Sequence, residues 1–517
     1  MSLIKKFITV SGLTIISRIL GVAREILLSC FLGACAEMDA YLIAFKFPCF
    51  FRKFFAEGGF QSIFVPYFTD FIVKKKLKAA GYFSSRIFSI IFWWMLFFSI
   101  IVFIFAKQFV LLMAPGFSSN PDKLAFAIEF TRIIFPSIIF LSVSTIYSSI
   151  LVANKRFFLY SLSPILVNII LIISLLSFQN SITAGYRISL GVLLAGIIQF
   201  IYLCIAVKSI RLDVPSIGKV KNTPKIKEFF KKLIPILGGA GVAQVNIFMD
   251  SLFSSFLPTG CITYIYLADR FVQLPLALFG ISIGTIMLSE ISTLTAKKNI
   301  EEIKELSSNS ILFTLLLTIP SSIILIMLAY PFIAILYGHG KFSEQAILNT
   351  VDILKIFALG LPAYIIAKVL SSILFSQKDS KTPTIAAICS IITNIALNAF
   401  LIVPLQAKGI AISTTVSGFV NAYIVYRKSK NYIKINSDFV LSILKILFSS
   451  VVMSGITIMI FLICKFGHST LMDIMLLLLC ISCSTIAYFL TLLIVNDKHA
   501  KSVVVFLKSK VFKRART

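Results

Sequence analysis

Residues Ile87–Ala106 read IFSIIFWWMLFFSIIVFIFA, a stretch without a single charge, bounded by Arg86 and Lys107. An α-helix rises about 1.5 Å per residue, so a segment of this length reaches across a hydrocarbon core of about 30 Å. Its positions are apolar continuously rather than alternately, which fits a helix in lipid and not a strand of a membrane β-barrel. Ile133–Asn154, Phe157–Tyr186, Pro383–Ala407 and Ile474–Asn496 read the same way. Extended along the chain, the pattern predicts fourteen spans. They are 7–32, 40–68, 86–113, 127–152, 158–178, 186–207, 231–256, 262–289, 306–336, 347–375, 383–403, 408–427, 440–464 and 472–496.

The composition agrees. Hydrophobic residues make up 58% of the 517 positions, charged residues 14%, and mean hydropathy is +0.97. A soluble globular chain carries about a quarter charged residues. That excludes a soluble enzyme, a disordered chain and a nucleic-acid-binding protein, although 49 Lys and Arg against 21 Asp and Glu leave a net charge of +28.

The positive charge is sorted by side. The N-terminus, the loops after even-numbered spans and the tail hold thirty-two Lys and Arg. The loops after odd-numbered spans and their rims hold six: Lys107, Lys123, Arg187, Lys341, Lys408 and Lys465. Cytoplasmic loops carry the excess of basic residues. Both termini are therefore expected in the cytoplasm, in agreement with an even number of spans. The first span follows Lys5 and Lys6 but is interrupted by Arg18 and Arg24, and no small-x-small cleavage site follows it, so it reads as an uncleaved helix. The cysteines fall mostly inside spans, which points to no disulfide framework, and the three histidines are scattered.

The chain also contains a weak copy of itself. Ser148-Ser149-Ile150-Leu151, followed by Asn154-Lys155, returns 223 residues later as Ser371-Ser372-Ile373-Leu374, followed by Gln377-Lys378. Pro136 and Pro362 precede the two blocks, and Gly191–Lys208 resembles Gly409–Lys428. Spans 1–6 would thus recur as spans 7–12 in the same orientation, as in transporters built of two parallel lobes. The expected fold class is an all-α polytopic membrane protein with fourteen transmembrane helices: two six-helix lobes plus two extra C-terminal helices. The expected limits are 1–208 for the first lobe, 209–230 for a basic cytoplasmic linker, 231–430 for the second lobe, and 431–517 for helices 13–14 and the tail.

Ionisable residues at bilayer depth are costly and mark function. The first two spans hold Arg18, Arg24, Glu25, Asp39, Lys46, Arg52, Lys53 and Glu57, and span 8 adds Asp269 and Arg270. Guanidinium groups bind phosphate oxygens in a bidentate fork and stay charged at any relevant pH. Arg18, Arg24, Arg52 and Arg270 therefore suit an anionic cargo, and the apolar surroundings suit one with a lipid tail. The pairs Arg24–Glu57, Arg52–Asp39 and Asp269–Arg270 read equally as structural ion pairs or as gates. Arg18 has no adjacent acid.

Longer motifs carry a family resemblance. They are Ser17-Arg18-Ile19-Leu20-Gly21-Val22-Ala23-Arg24-Glu25, Asp39-Ala40-Tyr41 through Ala44-Phe45-Lys46-Phe47-Pro48, and Arg52-Lys53-Phe54-Phe55-Ala56-Glu57-Gly58-Gly59-Phe60 with Phe64-Val65-Pro66. Ala114-Pro115-Gly116-Phe117, Ala268-Asp269-Arg270 and Tyr337-Gly338-His339-Gly340-Lys341-Phe342 extend them. The sequence resembles the MurJ (MviN) lipid II flippases of the multidrug/oligosaccharidyl-lipid/polysaccharide exporter superfamily. The resemblance implies a non-enzymatic transporter in the bacterial cytoplasmic membrane that moves the undecaprenyl-diphosphate-linked peptidoglycan precursor to the periplasmic face by alternating access. It implies that Arg18, Arg24, Arg52 and Arg270 are the cavity arginines, which suit the diphosphate, with Asp39 as their acidic partner; the cost of charge inside the spans adds Glu25, Lys46, Glu57 and Asp269 as gating or charge partners. Its implied partners are lipid II, the phospholipid bilayer, and cell-wall synthesis or division proteins. Gln273 departs from the family pattern, where many members carry Glu.

A second polar set comprises Asp250 in span 7, Asn394 and Asn398 one turn apart in span 11, and Thr414 in span 12. Its oxygens suit either a Na⁺ site or a hydrogen-bonded packing cluster. No other cofactor is expected, and outward movement of an anion predicts dependence on membrane potential. Gly280-Ile281-Ser282-Ile283-Gly284 has the spacing of a hydrolase nucleophile elbow, but it lies inside a span and reads as a helix-packing motif. The basic 208–232 loop reads as a solvated connector touching anionic headgroups, not as a nucleic-acid site. Two alternatives stay open: a flippase for another polyprenyl-diphosphate-linked glycan, and a cation-coupled drug antiporter of the same superfamily.

Overall fold

A computed structural model describes residues 3–55, 59–177, 181–210, 212, 214–218, 224–463 and 470–497. The described residues form helices and connecting turns, with no strands. In chain order the helices are α1 (Leu3–Leu32), α2 (Ala36–Phe55), α3 (Gly59–Val73), α4 (Leu77–Ile104), α5 (Ala106–Met113), α6 (Pro121–Ile134), α7 (Ser137–Ala153), α8 (Phe157–Leu176) and α9 (Ala184–Ser209). They continue as α10 (Pro224–Ser254), α11 (Cys261–Pro275), α12 (Ser282–Ala296), α13 (Ile300–Met327), α14 (Ala329–Tyr337), α15 (Glu344–Ser376), α16 (Lys381–Ser429), α17 (Ser437–Ile463) and α18 (Thr470–Ile494).

Ten helical segments among the described residues are long and apolar enough to cross a membrane. Several segments expected as single spans are interrupted, and local chemistry explains some of the breaks. Pro136 separates α6 from α7, because its ring has no N–H to donate and clashes with the preceding turn. Pro275 precedes a π-turn at Leu276–Ile281 that joins α11 to α12. Spans expected at 383–403 and 408–427 are two helices, labelled together as α16, that meet at a non-helical Gln406 (φ 48°, ψ −128°).

The helices gather into two compact units. One comprises Met1–Thr263 with Gly340–Ser343; the other comprises Tyr264–His339 with Glu344–Thr517. Helix α10 thus packs with the first unit. The first core is aromatic: Phe64, Tyr67 and Phe83 from α3 and α4 surround Phe229 of α10, which meets all three rings edge-on. The second core is aliphatic, with Ile283, Met287 and Ile291 of α12 against Val369, Leu370 and Ile373 of α15. Tyr488 of α18 donates to the Leu316 carbonyl of α13 at 2.9 Å, satisfying a buried hydroxyl.

Four helix ends close identically on a lysine. Lys75, Lys155, Lys298 and Lys378 have φ of 54°, 58°, 57° and 62°, in the left-handed region. After α3, the Lys75 N–H donates to Ile72 O at 2.9 Å and the Lys76 N–H to Phe71 O at 2.9 Å. The same pair of bonds recurs at Lys155 and Arg156, at Lys298 and Asn299, and at Lys378 and Asp379. This is the glycine-favoured turn that satisfies the last carbonyls of a helix. Lys75 and Lys298 lie 223 residues apart, as do Lys155 and Lys378. The sequence repeat therefore returns as a repeat of turn geometry within each unit.

Candidate functional site

Ser17, Gly21 and Arg24 are spaced four and three residues apart, which places them on one face of α1. That face meets Asn168 of α8. The Asn168 Nδ2 donates to the Ser17 carbonyl at 3.0 Å and approaches the Ser17 hydroxyl at 3.4 Å, while its Oδ1 accepts from Arg24 Nη1 at 3.2 Å. Gly21 lies on the same face, where a Cβ would meet Asn168 Nδ2 at 4.0 Å, an ordinary contact. Arg24 Nη2 also contacts Glu25 Oε1 at 2.5 Å, and both side chains are largely buried. A buried ion pair costs desolvation of both partners, which the Asn168 bond partly offsets.

Arg18 follows Ser17 by one residue, about 100° round the helix, and is exposed. Among the described residues it makes no ion pair. Two guanidinium groups on one helix are thus held differently: one is clamped against α8 and the other is presented freely. Arg52 stands on α2, but its side chain and that of Lys53 lie outside the described residues, as does Glu57. The expected Arg24–Glu57 and Arg52–Asp39 pairings therefore fall outside the description.

Asp39 sits fully buried in the first turn of α2. Its Oδ2 accepts the Gly260 N–H at 2.8 Å and lies 2.9 Å from Lys123 Nζ. Its Oδ1 accepts the Thr263 N–H at 3.1 Å and the Thr263 hydroxyl at 2.8 Å. Lys123 is also buried and lies 5.0 Å above the Phe117 ring. Sequence reasoning counted Lys123 only as a charge in an odd-numbered loop. The signal that could have found it was its place in the first turn of α6, three residues after the capping Asn120, close behind the Ala114-Pro115-Gly116-Phe117 motif.

The other motif glycines serve the same end of this unit. A Cβ on Gly116 would lie 2.4 Å from the Ser255 carbonyl, and its N–H donates to the Ser255 hydroxyl at 3.0 Å. Gly340 has φ +63°, and a Cβ there would lie 2.4 Å from the Cys30 carbonyl; the next N–H, of Lys341, donates to that carbonyl at 2.9 Å. The ends of α1 and α2 and the segments 114–123, 255–263 and 340–343 are thereby tied together. Every one of them borders a loop that the sequence reading expects after an odd-numbered span.

Lys46 of α2 donates to the Ser251 hydroxyl of α10 at 2.6 Å, one residue beyond the half-buried Asp250. In the second unit, Arg270 is exposed and stacks at 4.3 Å over Tyr266, one turn back on α11. Gln273 Nε2 donates to both Asp269 oxygens at 3.3 Å. A glutamate at 273 would set a second carboxylate against Asp269; the amide supplies a donor instead. On α16, Asn398 Nδ2 donates to Asn394 Oδ1 at 3.0 Å, and Asn394 Nδ2 donates to Thr414 Oγ1 at 3.3 Å. Three of the four residues singled out for Na⁺ thus form a hydrogen-bonded chain across the Gln406 fold. Among the described residues, no group of three or more His, Cys, Asp or Glu could hold a metal ion.

Comparison with known proteins adds names to this geometry. The family model described as "Lipid II flippase MurJ" matches residues 28–480. A probable lipid II flippase MurJ of Rickettsia prowazekii (strain Madrid E) is 34% identical over 438 residues, covering 85% of this chain and 86% of the relative. One of Rhizobium meliloti (strain 1021) is 33% identical over 432 residues, covering 82% and 80%. Among solved structures, a lipid II flippase MurJ in an inward closed conformation aligns with TM-score 0.77 and 29% identity, covering 94% of this chain and all of that one. An inward-facing multidrug resistance MATE family transporter aligns with TM-score 0.65 at 14% identity, covering 80% and 94%, a likeness of fold alone.

Proposed function

Because the chain belongs to the MurJ family of lipid II flippases, a family of transporters and not of enzymes, we propose that it carries lipid II from the cytoplasmic to the periplasmic face of the bacterial inner membrane. The chain crosses the bilayer fourteen times with both termini inside, and its two six-helix lobes are followed by two further helices. The sorting of basic residues and the paired turns at Lys75 and Lys298 and at Lys155 and Lys378 support that arrangement.

Lipid II presents a diphosphate between a polyprenyl tail and a sugar-peptide head. Arg18, Arg24, Arg52 and Arg270 bind the diphosphate. The observation that carries this reading is the contrast on α1: Arg18 is exposed at bilayer depth, while Arg24 is held by Glu25 and Asn168. An arginine so placed is retained for a ligand. The anion competes with Glu25 and with Asn168 of α8 for Arg24, and loss of the Arg24–Asn168 bond loosens α1 from α8. The bonds of Asp39 to Gly260, Thr263 and Lys123 close the outer end, and their release opens it in an alternating-access cycle. Each charge moved across 100 mV is worth about 2.3 kcal/mol, so an interior-negative potential drives the anionic cargo outward and resets the emptied cationic site. Na⁺ coupling through the Asn394 and Asn398 oxygens belongs to the same proposal.

The test is rescue of cells depleted of their lipid II flippase. The wild-type chain restores growth, whereas Arg18→Glu, Arg52→Glu and Arg270→Glu do not, at matched expression. Full rescue by Arg18→Glu overturns the diphosphate reading. An ionophore that collapses only the voltage slows flipping; an unchanged rate removes the electrical step.

A further inference from the structure

The second unit contains an open cavity of about 510 Å³ lined by Glu301, Lys304, Lys430, Asn431, Ile433 and Lys434. It lies where α13 begins, α16 ends and α17 is about to begin. We infer that this cavity binds the phosphodiester headgroup of an anionic membrane phospholipid. The inference rests on reading these helices as membrane spans, and it concerns a site that takes no part in the proposed transport.

Charge comes first. Three lysines face one carboxylate. Glu301 Oε1 lies 3.2 Å from Lys304 Nζ, and its Oε2 lies 4.0 Å from Lys434 Nζ. One acid is thus shared between two ammonium groups. Lys430 makes no ion pair among the described residues. The rim keeps an excess of two positive charges, enough for one phosphodiester with charge to spare.

The frame is fixed. The Ser308 hydroxyl accepts the Lys434 N–H at 2.8 Å and donates to the Lys434 carbonyl at 2.9 Å, which staples the 430–434 segment to α13. Ile303 and Ile433 are buried beneath it in the aliphatic core of this unit. A staple to a packed helix positions the lysines without a ligand, and preorganisation lowers the cost of binding.

Depth and surroundings select a lipid over a free anion. Lys304 stands two residues before Leu306, where the uncharged part of α13 starts. At about 1.5 Å per residue that is about 3 Å, inside a headgroup layer about 5 Å deep on each side. Ile435, Val440, Leu441 and Leu444 continue the chain from the cavity and are all exposed. They offer apolar surface to the acyl chains of a lipid whose phosphate sits among the lysines. Free phosphate gains nothing from that surface.

The experiment uses the full-length chain in detergent. It is titrated with dioctanoyl phosphatidylglycerol, dioctanoyl phosphatidylcholine and inorganic phosphate, with binding read by thermal shift. Phosphatidylglycerol stabilises the protein saturably; the other two do not. Lys430→Gln and Lys434→Gln each weaken the phosphatidylglycerol response about fivefold, as expected for one lysine at a membrane surface. Glu301→Gln strengthens it. Lys430→Arg/Lys434→Arg keeps it, which holds the test open if the glutamine variants fail to fold. An unchanged response in Lys430→Gln/Lys434→Gln overturns the site, and an equal response to inorganic phosphate overturns the lipid. The readout is binding, so failure to rescue flippase-depleted cells leaves it untouched, and its failure leaves the transport reading intact.

Discussion

Lys123 Nζ lies 2.9 Å from Asp39 Oδ2, and both side chains are buried. The carboxylate also takes the N–H groups of Gly260 and Thr263 and the Thr263 hydroxyl. Removing one member of a buried pair leaves an uncompensated charge and costs about 3–5 kcal/mol. Lys123→Met should therefore lower stability by about 3 kcal/mol in a detergent melt. Asp39→Asn added to it should recover part of the loss, because the amide needs no cation. A single variant that melts like the wild type contradicts the pairing.

The two charges were not equally visible beforehand. Asp39 stood out because it falls in a motif at the head of a span, and a carboxylate there is expensive. Lys123 did not, because a lysine near a loop is ordinarily solvated; only the fold shows the segment 114–123 turned inward onto α2. Hydropathy located the helices well, since lipid demands apolar length above all else. It could not show that α6 and α7 part at Pro136, or that a π-turn follows Pro275, because both breaks keep the segment apolar. The Arg24–Asn168 bond was equally hidden. An asparagine within the uncharged α8 carries no sequence signal until α1 is packed beside it.

That bond makes Asn168 a positioning residue. Hydrogen bonds between membrane helices average about 0.6 kcal/mol, so Asn168→Leu should leave the melt within about 1 kcal/mol of wild type. Arg24 would lose its anchor to α8, and rescue of flippase-depleted cells should fall at unchanged expression. Asn168→Asp keeps an acceptor for Arg24 and should rescue better than the leucine variant. Equal rescue by all three forms would remove Asn168 from the mechanism.

Cys35 lies between α1 and α2, and burial pushes its thiol above the ordinary value of 9.0. The nearby carboxylates of Glu37 and Asp39 push the same way, against the backbone N–H groups of Met38 and Glu37. A raised value means that the thiol form persists through neutral pH and the thiolate, the reactive species, appears only in stronger alkali. In a background where the other cysteines are replaced, alkylation of Cys35 should be slower than that of a free thiol at pH 8. Its rate should still be climbing at pH values where the free thiol has levelled off. Glu37→Gln should shift the profile toward lower pH. A profile matching the free thiol would show that Cys35 is not screened from water.

Lys298 closes α12 with φ 57°, an arrangement that costs an L-residue about 1 kcal/mol and a glycine almost nothing. Its side chain is exposed, so what the lysine gains is electrostatic: a cation at a helix C-terminus contributes about 0.3–1 kcal/mol. Two substitutions separate these terms. Lys298→Ala loses the charge and keeps the strain, and should melt below wild type. Lys298→Gly loses the charge and relieves the strain, and should be more stable than the alanine variant by about 1 kcal/mol. The same order should hold at Lys75, its counterpart 223 residues earlier, because the turn there has the same two hydrogen bonds. If alanine and glycine melt alike at both positions, the left-handed turn is not what these lysines share. If the order holds, the turn was kept in both halves at a cost in stability, and the lysine's charge at the helix C-terminus is what partly offsets it.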